Sequence, residues 1–383
     1  MKQATLAQPA PAFAIPLANA ARAKRLTIVV GAGVSYARPT ALPDGKDLAK
    51  RLHESLTRLV TGYECDPANA ENLPAVAQAG EDVLGGRRAV QALVPTLADF
   101  ETAAPTIAHS VFSMLAAEGA ISLITTNWDS CLERGSDPPL PAFYKLDDVD
   151  DSISPHVFKI HGTANIPTSL ILSEEQLGDP FIEAGDYVAS HLMSSTVVFV
   201  GIGDIAPYVQ EPLEMLTHYI NSGHVYVVSP SIFSNWEHSN WSKVLPELGD
   251  EFKIGEDADT FAQNLAHGWL MRLIEAVTIL LDGDRQAIAA LGSLCEGCTC
   301  SHFLTWIRSV RVAWPLGVPV VMSEAAKLVL VAICKIAAGK AVESGTVPLL
   351  STSRNSAIVI DDQEIHVAVF HEPKRSEDIQ RRL

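Results

Sequence analysis

Leu26-Thr27-Ile28-Val29-Val30-Gly31-Ala32-Gly33-Val34-Ser35 is the stretch on which the reading of this chain turns. Its apolar, β-branched residues run without a polar interruption from Ile28 to Val30, which predicts a buried parallel strand, and the glycines that follow predict a tight turn. Glycine at 31 and 33 would let backbone N–H groups approach a phosphate that any Cβ holds off, and a helix starting there would aim its positive end at the same anion. Taken alone, the motif leaves two readings open, a pyrophosphate cradle and a plain strand-turn-helix corner. The third glycine of the dinucleotide fingerprint is absent, because Tyr36 occupies its position.

Composition sets the bounds around this stretch. With 383 residues, 48% of them hydrophobic, the chain can bury a large core and form two domains, or one large domain with an appendage. A net charge of −17 argues against direct nucleic-acid binding, which needs clustered lysine and arginine to neutralise phosphates. Six unevenly spread cysteines make no disulfide scaffold and read as reduced thiols of a cytoplasmic protein. Ala18-Asn19-Ala20 has the form of a signal-peptide cleavage site. However, Lys2 is the only basic residue before it, and Pro9, Pro11 and Pro16 break the apolar run, so residues 1–24 read as a flexible lead-in. Later apolar windows are cut by Arg272, Glu275 and Lys335, and no membrane span is expected.

Further strands are predicted at Ile121–Thr125, His156–Ile160, Thr196–Val200 and Val225–Val228. A helix opens at Ala41–Leu48 and carries Leu48, Leu52, Leu56 and Leu59 at helical spacing. Loops and short helices then fill an insertion over about 61–104, and a helix over about Pro105–Ala117 precedes the second strand. Five such strands separated by helical segments predict an α/β fold with a Rossmann-like, doubly wound parallel sheet. Each strand delivers polar or small residues at its carboxyl end, where open α/β sheets bind ligands: Asn127 and Asp129, His161, Gly201 and Gly203, and Ser229. For Asn127 and Asp129 a second reading stands, that one of them merely caps the helix expected over Ser130–Arg134. His161, the third polar residue delivered to one sheet edge, is a candidate base.

The ordered motifs Gly31-Ala32-Gly33-Val34-Ser35, Thr125-Thr126-Asn127-Trp128-Asp129, Lys159-Ile160-His161-Gly162 and Gly201-Ile202-Gly203-Asp204 resemble those of the sirtuin family, over roughly Leu26 to Pro230. The resemblance implies an NAD-binding domain over 25–230 in which Gly31, Ala32, Gly33 and Ser35 line the NAD phosphates. It also implies that Asn127 and Asp129 hold the nicotinamide-side ribose and the carboxamide, that His161 is the catalytic base, and that Gly201, Gly203 and Ser229 border the adenosine side. The chain departs from the family's protein deacylases in three places. No cysteine lies between His161 and His224, where their four-cysteine zinc module stands, so no structural zinc is expected. The loop after the glycine turn differs, and Thr126 replaces a glutamine. In these departures it resembles the prokaryotic sirtuin-like effectors of antiphage defence. That implies NAD hydrolysis to nicotinamide and ADP-ribose, depletion of NAD on infection, and gating by homo-oligomer assembly or by a separately encoded sensor such as a HerA-type ATPase. A protein deacylase of the same family and a non-catalytic NAD or ADP-ribose sensor are the rival readings.

Residues 231–383 read as a C-terminal α+β region with an assembly or regulatory role. It is expected to hold a long helix over Phe261–Leu281, an apolar helix over Met322–Ile336, and a hairpin whose strands flank Asp361–Glu364. Cys295, Cys298, Cys300 and His302 offer four soft or borderline ligands within eight residues, yet lack the paired layout of a zinc knuckle, so reduced thiols are the default reading. The charged end from Glu372 reads as a solvated tail, with a partner-docking basic tail as the alternative.

Overall fold

The computed structural model describes residues 9–137, 139–145, 155–177, 187, 190, 191, 193–203, 224–280, 285, 286, 288, 289, 350–353, 356–360 and 365–369. The chain divides into two compact units, residues 23–262, and residues 1–22 together with 263–383.

The first unit is built on a seven-stranded sheet. Its strands are β1 (Leu26–Val30), β2 (Ser122–Thr125), β3 (Ala142–Phe143), β4 (Val157–Lys159), β5 (Thr196–Val200), β6 (Val225–Val228) and β7 (Lys253–Ile254). All pairings are parallel, in the order β3-β4-β2-β1-β5-β6-β7. This is the Rossmann-like α/β sheet the sequence predicts, with every one of the five expected strands in place. The pairs β3 and β7 are additions at the two edges, each only two residues long. β7 pairs with β6, and the first unit runs on to residue 262.

Register decides where the site forms. Val30 stands opposite both Thr125 and Val200, and Thr125 stands opposite Lys159. The next residues on these strands, Gly31, Thr126, Ile160 and Gly201, therefore leave the sheet at one level. β1 is central, and the chain runs to one side of it through β2 and to the other through β5. The carboxyl ends of β1 and β5 thus flank the point where strand order reverses, the crevice in which such sheets take ligands.

Two apolar clusters hold the unit together. One joins Val29, Ile124, Phe158, Val197, Phe199 and Val227 on the sheet to Trp241, Val244 and Leu245 from the helix Asn240–Val244 and its end. The other joins the helix before the helical insertion to the insertion itself. The helix Gly45–Leu59, whose N-terminus is capped by Asp44 accepting from the Asp47 N–H, packs Leu48, Leu52 and Leu56 against Val76, Ala77, Val90 and Val94. Trp128, just beyond β2, belongs to this second cluster, so the insertion is anchored directly on the loop that carries Asn127 and Asp129.

In the second unit, Ala14–Arg22, within the stretch read as a lead-in, is a helix. Ala14, Leu17, Ala18 and Ala21 are buried at helical spacing, and Pro16 lies in the first turn, where a missing N–H costs no helical bond. The Ala14 carbonyl lies so close to Gly268 that a Cβ there would approach it to 2.8 Å. A long helix, Ala258–Leu280, stands where one was expected. β8 (Leu350–Ser353), β9 (Ser356–Ile360) and β10 (Ile365–Val369) form an antiparallel sheet, and β9 with β10 is the hairpin read around Asp361–Glu364. The Cys295–His302 cluster, the Met322–Ile336 helix and the tail from Glu372 lie outside the described residues. Among the described residues, no helix is long and apolar enough to cross a membrane.

Candidate active site

A cavity with about 890 Å³ of free space opens at the carboxyl edge of the sheet. Its wall includes Ala32 and Ser35 after β1, Asn127, Trp128 and Asp129 after β2, and His161 after β4. Ile202 and Trp241 lie on the wall as well, and Leu42 and Leu48, with Leu73 and Phe100 from the helical insertion, supply an apolar part of it. The imidazole and the carboxamide singled out in the sequence therefore share one cavity, although they lie far apart along the chain. Among its described lining residues there is no lysine or arginine, and the one acidic group is Asp129.

The loop after β2 is held at both ends. The Asn127 N–H donates to Thr125 Oγ1 at 3.0 Å, and the Trp128 carbonyl accepts from the Ala164 N–H at 3.0 Å. Lys159, fully buried at the end of β4, donates to the Asp129 backbone carbonyl and pairs with Glu133 Oε1 at 2.9 Å. A buried ammonium is retained only where such partners compensate it.

Side chains then lock one another. Asn127 Nδ2 donates to the Gly31 carbonyl at 3.2 Å and to Ser35 Oγ at 3.0 Å. The Ser35 hydroxyl donates to Asp129 Oδ2 at 2.8 Å, while Asp129 Oδ1 accepts from the Cys131 N–H at 3.0 Å. Asp129 thus accepts from the first N–H of the short helix Cys131–Arg134 and also lines the cavity. With both amide hydrogens of Asn127 engaged, its oxygen is fixed in place. That oxygen is buried with no hydrogen-bond partner in the protein.

His109 completes the network and was not a sequence candidate. It is wholly buried, outside the cavity wall, at the third position of the helix Ile107–Ala117. The Thr106 backbone N–H donates to its Nδ1 at 3.1 Å, which places the ring proton on Nε2, 3.2 Å from Ser35 Oγ. Burial pushes its pKa down, against a smaller opposing pull from Asp129, so the ring is a neutral donor. The only sequence signal was a histidine in the place of the Glu or Gln of a capping box begun by Thr106.

His161 also has a lowered pKa, about 4, caused by desolvation and partly opposed by a hydrogen bond with the Thr126 backbone. At neutral pH it is an unprotonated imidazole, able to accept a proton.

The glycines act differently from the sequence reading. The Gly31 N–H donates to the Val200 carbonyl at 2.9 Å and the Gly33 N–H to the Gly201 carbonyl at 2.8 Å, so both amides are spent inside the protein and not on a phosphate. A Cβ on Gly31 would meet the Gly201 carbonyl oxygen at 2.6 Å, and one on Gly201, whose φ is +68°, would meet the Val34 nitrogen at 2.7 Å. These residues are glycine because the loops after β1 and β5 interlock. Gly31, Gly33, Gly201, Gly203 and Ser229 are not among the described lining residues of the cavity. Gly203 has open space where a Cβ would stand, and the Ser229 N–H is held by the Ile254 carbonyl at 3.0 Å.

His109, Asp129 and Cys131 place one potential ligand atom each within 4.8 Å of one another. Their donor set does not suit a metal. Both ring nitrogens and both carboxylate oxygens are already hydrogen-bonded, and burial raises the pKa of the Cys131 thiol, which donates to the Ala103 carbonyl at 3.4 Å.

No curated protein matches the chain. A crystal structure of a Sir2 homolog–NAD complex is similar to it at 17% identity, covering 67% of this chain and 93% of that one, with a TM-score of 0.34. Residues 121–242, the stretch from β2 to the helix that carries Trp241, match the SIR2-like domain family.

Proposed function

We propose that this protein is an NAD⁺ hydrolase that cleaves the bond between nicotinamide and ribose. The observation that carries the proposal is the shared cavity. Its wall brings together His161, a neutral base, and Asn127, whose oxygen is fixed and has no protein partner, at the carboxyl edge of a Rossmann-like sheet. The SIR2-like match over 121–242, which includes both residues, supports NAD as the dinucleotide.

The chemistry follows from the wall. Cleavage passes through an oxocarbenium-like ribose, and a cavity whose described lining has a carboxylate and no cation favours both that sugar and the pyridinium before it. Asn127 Oδ1 would accept from a ribose hydroxyl or from the attacking water. The water oxygen bonds to the anomeric carbon, the carbon–nitrogen bond breaks with its electron pair going to nicotinamide, and His161 takes the water's proton. Ala32, Ser35 and Asp129 border the bound nucleotide from the wall, Gly31, Gly33 and Gly201 shape the loops around it, and Gly203 and Ser229 are assigned to the adenosine side.

By its departures from the deacylases, the enzyme is assigned to the antiphage-defence branch. There it would deplete NAD on infection, in the cytoplasm, under the control of homo-oligomer assembly or a separately encoded sensor. Incubation with NAD, with and without an acylated peptide, tests the reaction. Nicotinamide and ADP-ribose in equal amounts, independent of peptide, are expected. O-acyl-ADP-ribose would replace the reading with deacylation, and tight binding without turnover would replace it with sensing.

A further inference from the structure

Trp128 sits between Asn127 and Asp129, and its side chain has no role in the reading above. It is 8% exposed, it lines the cavity, and its ring meets Phe100 edge-on at 6.1 Å between centroids. Its indole Nε1 is buried with no hydrogen-bond partner in the protein. A buried donor left unpaired costs about 1–3 kcal/mol, so it calls for a physical reason.

The other donors of the wall are engaged. Both Asn127 amide hydrogens go to Gly31 and Ser35, the Ser35 hydroxyl goes to Asp129, and the Trp241 indole N–H goes to the Ile202 carbonyl at 3.1 Å. The Thr126 hydroxyl lies 3.5 Å from the Val30 carbonyl, and His161 interacts with the Thr126 backbone. Asp129 offers acceptors alone. Among the side chains of the described lining residues, Trp128 Nε1 is therefore the one buried donor with no partner, and a neutral acceptor oxygen that reached it from this cavity would satisfy it. Among its described residues the wall carries no cation to attract phosphate, so the half of a dinucleotide that suits them is the pyridinium ribose, whose strongest neutral acceptor is a carboxamide carbonyl.

We propose that the Trp128 indole N–H is a specificity donor for the carboxamide oxygen of the nicotinamide ring, an inference that rests on the NAD reading above. Asp129 is then left to accept from the amide nitrogen of the same group. The ring is held in advance by Phe100 and by the bond from Ala164 to the Trp128 carbonyl, so the ligand meets a donor already in position.

Trp128→Phe removes the donor and keeps an aromatic ring. Affinities for NAD and ADP-ribose are measured by calorimetry in a His161→Ala background, together with thermal unfolding. NAD binding is expected to weaken about tenfold, ADP-ribose binding to stay within about twofold, and the unfolding temperature to hold or rise, because an unpaired buried donor has gone. Unchanged NAD affinity, or equal losses for NAD and ADP-ribose, overturns the proposal. If Trp128→Phe does not fold, NAD is compared with its thionicotinamide analogue on the protein that retains Trp128. Weaker binding of the sulfur analogue supports the proposal and equal binding overturns it. If the wild type hydrolyses no NAD, the hydrolase reading falls while these affinities still decide the role of Trp128.

Discussion

Replacing His109 separates two jobs that one buried ring performs. Its Nδ1 accepts the Thr106 N–H at the helix start, and its Nε2 donates to Ser35 Oγ, which in turn holds Asn127. Asn at 109 can place an oxygen where Nδ1 stands and keep the cap, but it cannot reach Ser35. Gln can place an amide nitrogen near Nε2 and keep the bond to Ser35, but it gives up the cap. Each variant loses one neutral hydrogen bond and some packing, about 1–2 kcal/mol of stability apiece, so their unfolding temperatures are expected to fall together by a few degrees. Their activities are expected to diverge. Without the ring donor, Ser35 keeps its bonds to Asp129 and Asn127 but loses the third bond that orients it against the Asn127 carboxamide, and a loss of about 1.4 kcal/mol at the transition state is about tenfold in kcat. His109→Asn should therefore lower kcat for NAD about tenfold with KM little changed, while His109→Gln stays within about threefold of wild type. Steady-state kinetics beside thermal unfolding reads both. Equal activity of the two variants, or a better Asn than Gln, would refute the assigned route from His109 through Ser35 to Asn127.

Other perturbations are equally direct. Gly201→Ala forces a side chain onto a φ of +68° and against the Val34 nitrogen, so thermal unfolding should show a loss of about 2 kcal/mol or more, while Gly203→Ala, with open space around it, should stay within about 0.5 kcal/mol. Lys159→Met strands Glu133 and should cost about 3–5 kcal/mol in denaturant unfolding, most of it recovered in Lys159→Met with Glu133→Leu. His161 has a folded pKa lowered to about 4, so the unfolded chain binds its proton first as pH falls. Stability that is complete above about pH 6.5 should be lost between there and about pH 4, and His161→Gln should flatten that part of the profile. For the same reason, the acid limb of kcat/KM should lie near pH 4 and not near 6.5.

Much of this architecture is legible in the chain because buried parallel strands announce themselves as unbroken apolar runs. Thr196–Val200 and Val225–Val228 have the bounds their apolar runs predict. Ala142–Phe143 and Lys253–Ile254 were not predicted, since two residues carry no periodicity. The helix Ala14–Arg22 was hidden by composition: its prolines suggested a loop, while buried Ala14, Leu17, Ala18 and Ala21 kept the helical spacing throughout. At the site, residues that follow strands were found because the sheet edge collects them. His109 was missed because it reaches the site from inside a helix, through Ser35, and only register and packing make that connection. At Gly31 and Gly33 the sequence leaves two causes open, since loop interlocking and phosphate approach leave the same mark, and the structure shows the interlocking.

The most direct test is the rate of nicotinamide release from NAD by the wild type, His161→Ala and Asn127→Ala, with folding of each checked by thermal unfolding. Loss of about a hundredfold or more in both folded variants is expected, because a positioned base and its partner act on one sugar in one cavity. Release within about twofold of wild type in either variant would contradict it.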